Sequence, residues 1–422
     1  MRERYQAPRG TRDILPDEID RWHFLEATAR EIFGRYGFAE LRTPHLESTE
    51  LFARSVGASS DIVQKQMYTL QRGDESMTLR PENTAPVVRA FVQHALHRSV
   101  AAGYPEKYYY IGPMFRHERP QKGRQRQFHQ IGVEVLGAAE PLADAETIEM
   151  VDRFLGALGI ESRELLIGSV GDDACRDAYR ATLRSWLEPH LPTLCSDCRR
   201  RYDENPLRVF DCKVEHDHEL LAGAPTMLES LCRGCADHFG EVRRWLDALG
   251  VAHRIDGRLV RGLDYYRRTV FEVTSGELGA QNAILGGGRY DGLVEELGGP
   301  ALPGVGFAMG MERAAMLIPQ ERIASPGSLV VVVALGHDGW EEGVRMAQRL
   351  RGRGLRVLVP LVERPMGAQL KRAARHGAGH AVFVGKDELA AGRFGFKDLQ
   401  SGEQEALREE EILRRMGVAD GH

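Results

Sequence analysis

YYYIGPMFRHERPQKGRQRQFHQIGVEVLG, residues 108–137, is the stretch from which the fold is read. Two aromatic and β-branched runs, Tyr108–Phe115 and Phe128–Leu136, flank a polar loop over His117–Gln127, the pattern of an antiparallel hairpin with a long connection. Period-two alternation sets Gln130, Gly132 and Glu134 on one face of the second run, and Ile131, Val133 and Val135 on the other. The second face is ordinary core. The first lines up an amide, a gap and a carboxylate, and a buried carboxylate is costly unless a cation or donor meets it. Two readings are open: a small ligand resting over Gly132, or a solvated sheet face. The loop carries Arg116, His117, Arg119, Lys122, Arg124 and Arg126 against one acid, Glu118. That density suits phosphates, through charge-assisted bonds, or else a solvated hairpin tip.

Working outward, Ile19, Trp22, Phe24, Leu25, Ile32 and Phe33 give residues 17–37 the apolar stripe of a helix. Residues 38–44 read as a strand closed by Pro44, and 77–80 as a strand followed by a helix starting near Thr84 and Pro86. Beyond the hairpin, 145–159 is helical, and 170–255 is a largely helical segment rich in cysteine. A strand returns at 269–274, then the glycines 286–288, then a strand–helix unit at 304–318 with Arg313 in the helix's first turn. A cation there opposes the helix dipole, which is reasonable if an anion or ring shares the site; Glu312 beside it is an alternative neutraliser. The glycine cluster matches neither phosphate-loop spacing. After a Pro–Gly linker at 323–328 the pattern becomes strand, helix, strand, helix, strand, a small α/β domain with a parallel sheet.

Of the 422 residues, 42% are hydrophobic and 28% charged, and no apolar run approaches the roughly 20 residues of a membrane helix. The N-terminal MRERYQAPRGTRD lacks the apolar centre of a signal peptide, so a cytoplasmic protein is expected. A net charge of −5 leaves RNA binding to local basic patches. Cys195–Cys198 and Cys232–Cys235 are two CxxC pairs with Cys212 between them. Together the pairs would complete the four thiolates of a structural zinc site, although their separation exceeds the usual ribbon spacing; reduced, metal-free thiols are the alternative.

The FRHE string, its basic loop and FHQ resemble the second signature motif of class II aminoacyl-tRNA synthetases. GVGFAMGMER (304–313) resembles the third, and the helix leading to Pro44 the first. RGTRDILP (9–16), LVRGLDYY (259–266) and AILGGGRYD (283–291) narrow the resemblance to the histidyl-tRNA synthetase family, over nearly the whole chain. It implies an α+β fold: an antiparallel sheet of six or seven strands with flanking helices, a helical insertion domain and a C-terminal α/β anticodon-binding domain. The implied domains are 1–169 and 256–322 for the catalytic core, 170–255 for the insertion and 328–422 for the anticodon module.

By the same resemblance, Arg116 holds the ATP α-phosphate, Arg313 lies against the adenine, and Glu118 and Phe128 help seat it. Glu82, Thr84 and Gln130 would grip the α-ammonium group of L-histidine, Glu134 and Tyr266 read the imidazole, and Tyr290 closes over the amino acid. Arg261 would approach the α-phosphate from the other side and also contact histidine. Lys122, Arg124 and Arg126 would touch the acceptor end of tRNA(His). Magnesium on ATP and a homodimer complete the implication, and any zinc would be structural. A regulatory subunit of ATP phosphoribosyltransferase shares this resemblance, but such paralogues typically lack the C-terminal module and the key arginines.

Overall fold

The computed structural model describes residues 5–57, 60, 62–100, 103–120, 123–212, 214–260, 262–279, 282–323 and 329–418. It divides into two compact units, Met1–Ile323 and Ala324–His422.

The first unit carries strands β1 (Ala39–Glu40), β2 (Leu46–Ser48), β3 (Tyr68–Arg72), β4 (Glu75–Leu79), β5 (Glu106–Phe115), β6 (Gln127–Leu136), β7 (Glu164–Ser169), β8 (Arg254–Ile255), β9 (Arg267–Thr274), β10 (Ala283–Arg289) and β11 (Gly304–Gly310). Eight of them form one sheet in the order β1-β5-β6-β11-β10-β9-β7-β8, and β2-β4-β3 form a small separate one. The six central strands of the large sheet pair antiparallel. The two-residue strands β1 and β8 add to its edges in parallel, so the sheet exceeds the expected count by these short edges. The strand expected over 38–44 is curtailed because the Thr43 carbonyl turns away to accept from Arg80 Nη1 (3.0 Å), and Pro44 has no N–H to continue a ladder.

One sheet face is the main core. Ile131, Val133 and Val135 pack with Phe271, Val305 and Phe307 beneath the helices Ile19–Arg35 and Pro141–Ala157. The first helix forms because Trp22, Leu25, Ala29, Ile32 and Phe33 share one side at helical spacing. The opposite face is rich in tyrosine: Tyr108, Tyr110, Tyr265, Tyr266 and Tyr290 pack with Val87 and Phe91 of the helix Thr84–Gln93. Segment 170–255 folds as the helices Asp173–Leu187, Ser196–Glu204, Glu215–Leu221 and Arg233–Ala248, around a small core of its own. Its last helix returns Phe239, Val242 and Leu246 to the main core.

The second unit carries β12 (Leu329–Ala334), β13 (Val357–Leu358), β14 (Ala378–Val384), β15 (Phe394–Asp398) and β16 (Gln404–Leu407), ordered β13-β12-β14-β15-β16. The first three are parallel, as the alternation predicts; β15 and β16 extend the sheet antiparallel and were not expected. Among the described residues no helix is long and apolar enough to cross a membrane.

Candidate active site

Glycines carve the room on the tyrosine face. A Cβ at Gly132 would lie 2.3 Å from the Tyr110 hydroxyl, one at Gly306 2.1 Å from Glu134 Oε2, and one at Gly304 2.3 Å from the Tyr290 ring. The face is therefore neither solvated nor open over Gly132. Tyr110, directly across the hairpin from Gly132, fills the gap assigned above to a ligand. Gln130 and Glu134 are buried, at 8% and 1% exposure.

Glu134 is held from two sides. Thr84 Oγ1 donates to its Oε1 at 2.7 Å, and the Tyr290 hydroxyl donates to its Oε2. Burial, with a smaller push from nearby Glu82, still raises its pKa to about 8. Glu82 is raised by burial too, and caps the helix Thr84–Gln93 by accepting from the N–H groups of Thr84 (2.7 Å) and Ala85 (3.0 Å). Gln130 Oε1 and the Tyr110 hydroxyl lie buried without a partner of good hydrogen-bond geometry. Tyr266 stands 4.8 Å from Tyr265, which meets Tyr290 edge-on at 5.7 Å.

Two arginines lie toward the far end of β6. Arg116 donates from Nε to the Pro81 carbonyl at 2.8 Å, with its guanidinium 5.1 Å from the Phe128 ring centroid. Burial lowers its pKa below the usual arginine range. Arg313, in the helix Met311–Leu317, donates from Nη1 to the Ala283 carbonyl (2.7 Å) and from Nε to that of Gly123 (3.4 Å). The neighbouring Glu312 carboxylate accepts from the His129 backbone N–H at 2.9 Å, pinning β6 to the helix.

Among its described residues the basic loop is tied down at two points, while His117 and Arg119 stay exposed. His117 N–H donates to the Gln66 carbonyl, and Arg126 N–H donates to that of Gly10 (both 2.6 Å), tying the loop to the RGTRDILP string. Arg126 also donates to the Glu118 carbonyl at 3.3 Å, and Arg124 pairs with the Glu118 carboxylate at 3.4 Å. Lys122 and Arg261 lie outside the described residues.

The cysteines depart from expectation. Cys195, Cys198, Cys232 and Cys235 do not converge on one point. Cys195 and Cys198 gather with Cys212 and Asp217, while Cys232 and Cys235 gather with Cys175 and Asp172. Each pair opens a different helix, Ser196–Glu204 and Arg233–Ala248, and takes the partners that helix meets locally.

The sequence reading passed over Tyr110 and Tyr265 on this face. The first comes over Gly132 only through the hairpin register, which no local pattern gives; the second was signalled by the DYY triplet. It also passed over Arg289, whose guanidinium is fully buried behind the sheet against Asp144 at 2.6 Å, with His238 3.4 Å from the same carboxylate.

A family profile described as "Histidyl-tRNA synthetase" matches residues 10–314, and one described as "Anticodon binding domain" matches 329–416. The chain is similar to a protein named histidine–tRNA ligase in Syntrophotalea carbinolica, 47% identical over 96% of each chain. It is also similar to one so named in Moorella thermoacetica, 50% identical over 95% of each. Its fold is similar to the apo crystal structure of the Staphylococcus aureus histidyl-tRNA synthetase, with TM-score 0.79 and 34% identity over 98% of this chain and 100% of that one.

Proposed function

The chain belongs to the histidyl-tRNA synthetase family, and on that footing we propose that the tyrosine-lined pocket around Glu134 is where its chemistry begins. The activity is that of a ligase: L-histidine is activated with ATP to histidyl-adenylate, and histidine then passes to tRNA(His). The observation that carries the pocket assignment is a buried carboxylate, Glu134, and a buried amide oxygen of Gln130 without a hydrogen-bond partner, on one face of the strand that also carries Phe128 beneath Arg116.

Histidine brings donors. Its α-ammonium group suits the Gln130 oxygen and the carboxylate of Glu82 with Thr84 beside it, and its imidazole suits Glu134 with Tyr266, while Tyr290 covers the amino acid. An imidazole offers a donor and an acceptor, so leucine or phenylalanine would leave these groups unpaired. Discrimination of about 10⁴–10⁵ is within reach of such a site without editing.

In adenylation a histidine carboxylate oxygen attacks the α-phosphorus in line, the bond to the bridging oxygen breaks and pyrophosphate leaves. No enzyme nucleophile is needed; charge must be screened and the reactants aligned. Arg116, with no hydrogen bond to its terminal nitrogens among the described residues, suits the α-phosphate, and Arg261 is assigned to its other side. Phe128, Glu118 and Arg313 would seat the adenine. Magnesium on the ATP would add to the screening of the β- and γ-phosphates.

Lys122, Arg124 and Arg126 are assigned to the acceptor end of tRNA(His), 170–255 to an insertion domain beside it, 1–169 with 256–322 to the catalytic core, and 328–422 to anticodon binding. A cytoplasmic homodimer completes the reading. The regulatory-subunit alternative is weaker, because this chain carries both the anticodon module and Arg116 and Arg313.

ATP–pyrophosphate exchange with each of the twenty amino acids tests the proposal. Histidine alone should sustain exchange, and Arg116→Ala should lower the rate by about 10²–10³. Histidine binding without exchange would favour the regulatory subunit.

A further inference from the structure

We propose that segment 170–255 holds two structural zinc ions, each bound by three cysteines and one aspartate. One set is Asp172, Cys175, Cys232 and Cys235; the other is Cys195, Cys198, Cys212 and Asp217. Within each set the ligand atoms lie within 4.8 Å of one another, and the six cysteines are all free of disulfides.

The spacings are those of a coordination shell. A tetrahedral zinc with Zn–S of about 2.3 Å and Zn–O of about 2.1 Å sets S···S edges near 3.8 Å and S···O edges near 3.6 Å. The Sγ atoms of Cys195 and Cys212 are 3.8 Å apart, well beyond an S–S bond and equal to that edge. Cys212 Sγ stands 3.4 Å from Asp217 Oδ2, and Cys232 Sγ 3.5 Å from Asp172 Oδ2. Backbone N–H groups are already aimed at the sulfurs: Cys198 N–H at Cys195 Sγ (3.4 Å), Val214 N–H at Cys212 Sγ (3.4 Å) and Cys232 N–H at Cys175 Sγ (3.0 Å). Such donors favour thiolates, the form that binds zinc. The carboxylates are oriented as well, since Cys175 N–H holds Asp172 Oδ1 at 2.9 Å while Oδ2 faces the sulfur, and Cys195 N–H holds Asp217 Oδ2 at 3.0 Å.

The two sites do different work in the fold. The Asp172 set joins the start of the helix Asp173–Leu187 to the start of Arg233–Ala248, clasping residues 57 apart where the segment leaves and rejoins the sheet unit. The Cys195 set sits in the segment's own small core, where Cys198 and Cys212 pack with Leu194, Val209 and Leu221. A core that small gains most from a metal. Three thiolates and a carboxylate match zinc, which takes sulfur and oxygen tetrahedrally without redox change.

The test uses the full-length protein purified without an affinity tag or chelator. Elemental analysis should find about two zinc ions per chain, and X-ray absorption at the zinc edge should give an average shell of three sulfurs at about 2.3 Å and one oxygen. Cys195→Ser and Cys232→Ser should each remove one equivalent, and the double variant both. Zero zinc with all six thiols titrating freely overturns the proposal. So does one zinc per chain in a four-sulfur shell, or loss of both ions through either single variant in a protein whose circular dichroism is unchanged. The two wild-type measurements stand even if a variant fails to fold, and none depends on aminoacylation.

Discussion

At Glu134 burial meets the specificity role proposed for it. Its carboxyl is raised to about 8 because it is almost fully buried, in spite of donors from Thr84 and Tyr290. An acid whose folded pKa exceeds its unfolded value adds stability below the unfolded value and loses it as pH rises toward the folded one. Without ligand, the wild-type protein should therefore lose stability between about pH 4.5 and 8 relative to Glu134→Gln, which cannot ionise. The difference should amount to a few kcal/mol, read as a Tm gap that closes in acid. Parallel Tm curves for the two proteins would show that Glu134 is not neutral in the empty pocket. The same variant should weaken histidine binding while leaving ATP binding near its parent value. The alternation of Gln130, Gly132 and Glu134 is legible in the sequence because period two needs no partner strand. What lies over Gly132 is not, because Tyr110 reaches it only through hairpin register, a long-range property.

At the scale of elements, the large sheet is held to its helices by a buried ion pair behind the pocket. Arg289 ends β10, and its Nη2 meets Asp144 of the helix Pro141–Ala157 at 2.6 Å; both side chains are fully buried. The remaining donors are used on the Ala138 carbonyl (2.9 Å) and Asp291 (3.0 Å), and His238 brings the last insertion helix to the same carboxylate. Removing one partner strands the other in a dry interior, which typically costs about 3–5 kcal/mol. Arg289→Met should thus lower the unfolding free energy measured by denaturant titration by that amount, whereas Asp291→Asn, at the more exposed end of the network, should cost well under half as much. Equal effects would mean that the pair is not the anchor. The hairpin and the strand–helix unit carrying Arg313 are legible because their signals are local. The partition of the cysteines is not: two CxxC pairs invite a single site, whereas Cys175 with Asp172 and Cys212 with Asp217 come to hand only through helix packing. The edge strands β1 and β8, two residues each, are too short to leave a period.

Across the whole molecule, the break after Ile323 separates two sets of cores. Val330, Val332, Met346, Leu350, Phe396 and Ile412 pack on one side of the second unit's sheet, and Val331, Val333, Ala373 and Phe383 on the other. The first unit's clusters draw on residues up to Ile323, so each unit buries its own apolar surface, the condition for folding alone. The parallel part of the second unit is legible from its strand–helix alternation; β15 and β16 escape because Phe394 and Phe396 give only two beats of period two. Each pocket residue named above precedes the break, so a fragment ending at Ile323 should keep histidine-dependent pyrophosphate exchange within about tenfold of the full chain. Charging of tRNA(His) should fall much further, since each roughly 1.4 kcal/mol of lost tRNA contact lowers affinity tenfold. Raising the tRNA concentration should restore part of the loss, because a missing binding module weakens capture of tRNA and leaves the chemical step intact. If exchange and charging fell together, the second unit would be supporting the active site, and the division of labour drawn here would be wrong. Supplying residues 324–422 as a separate chain then distinguishes the cases: an anticodon module needs its covalent tether to raise effective concentration, and should not rescue charging in trans.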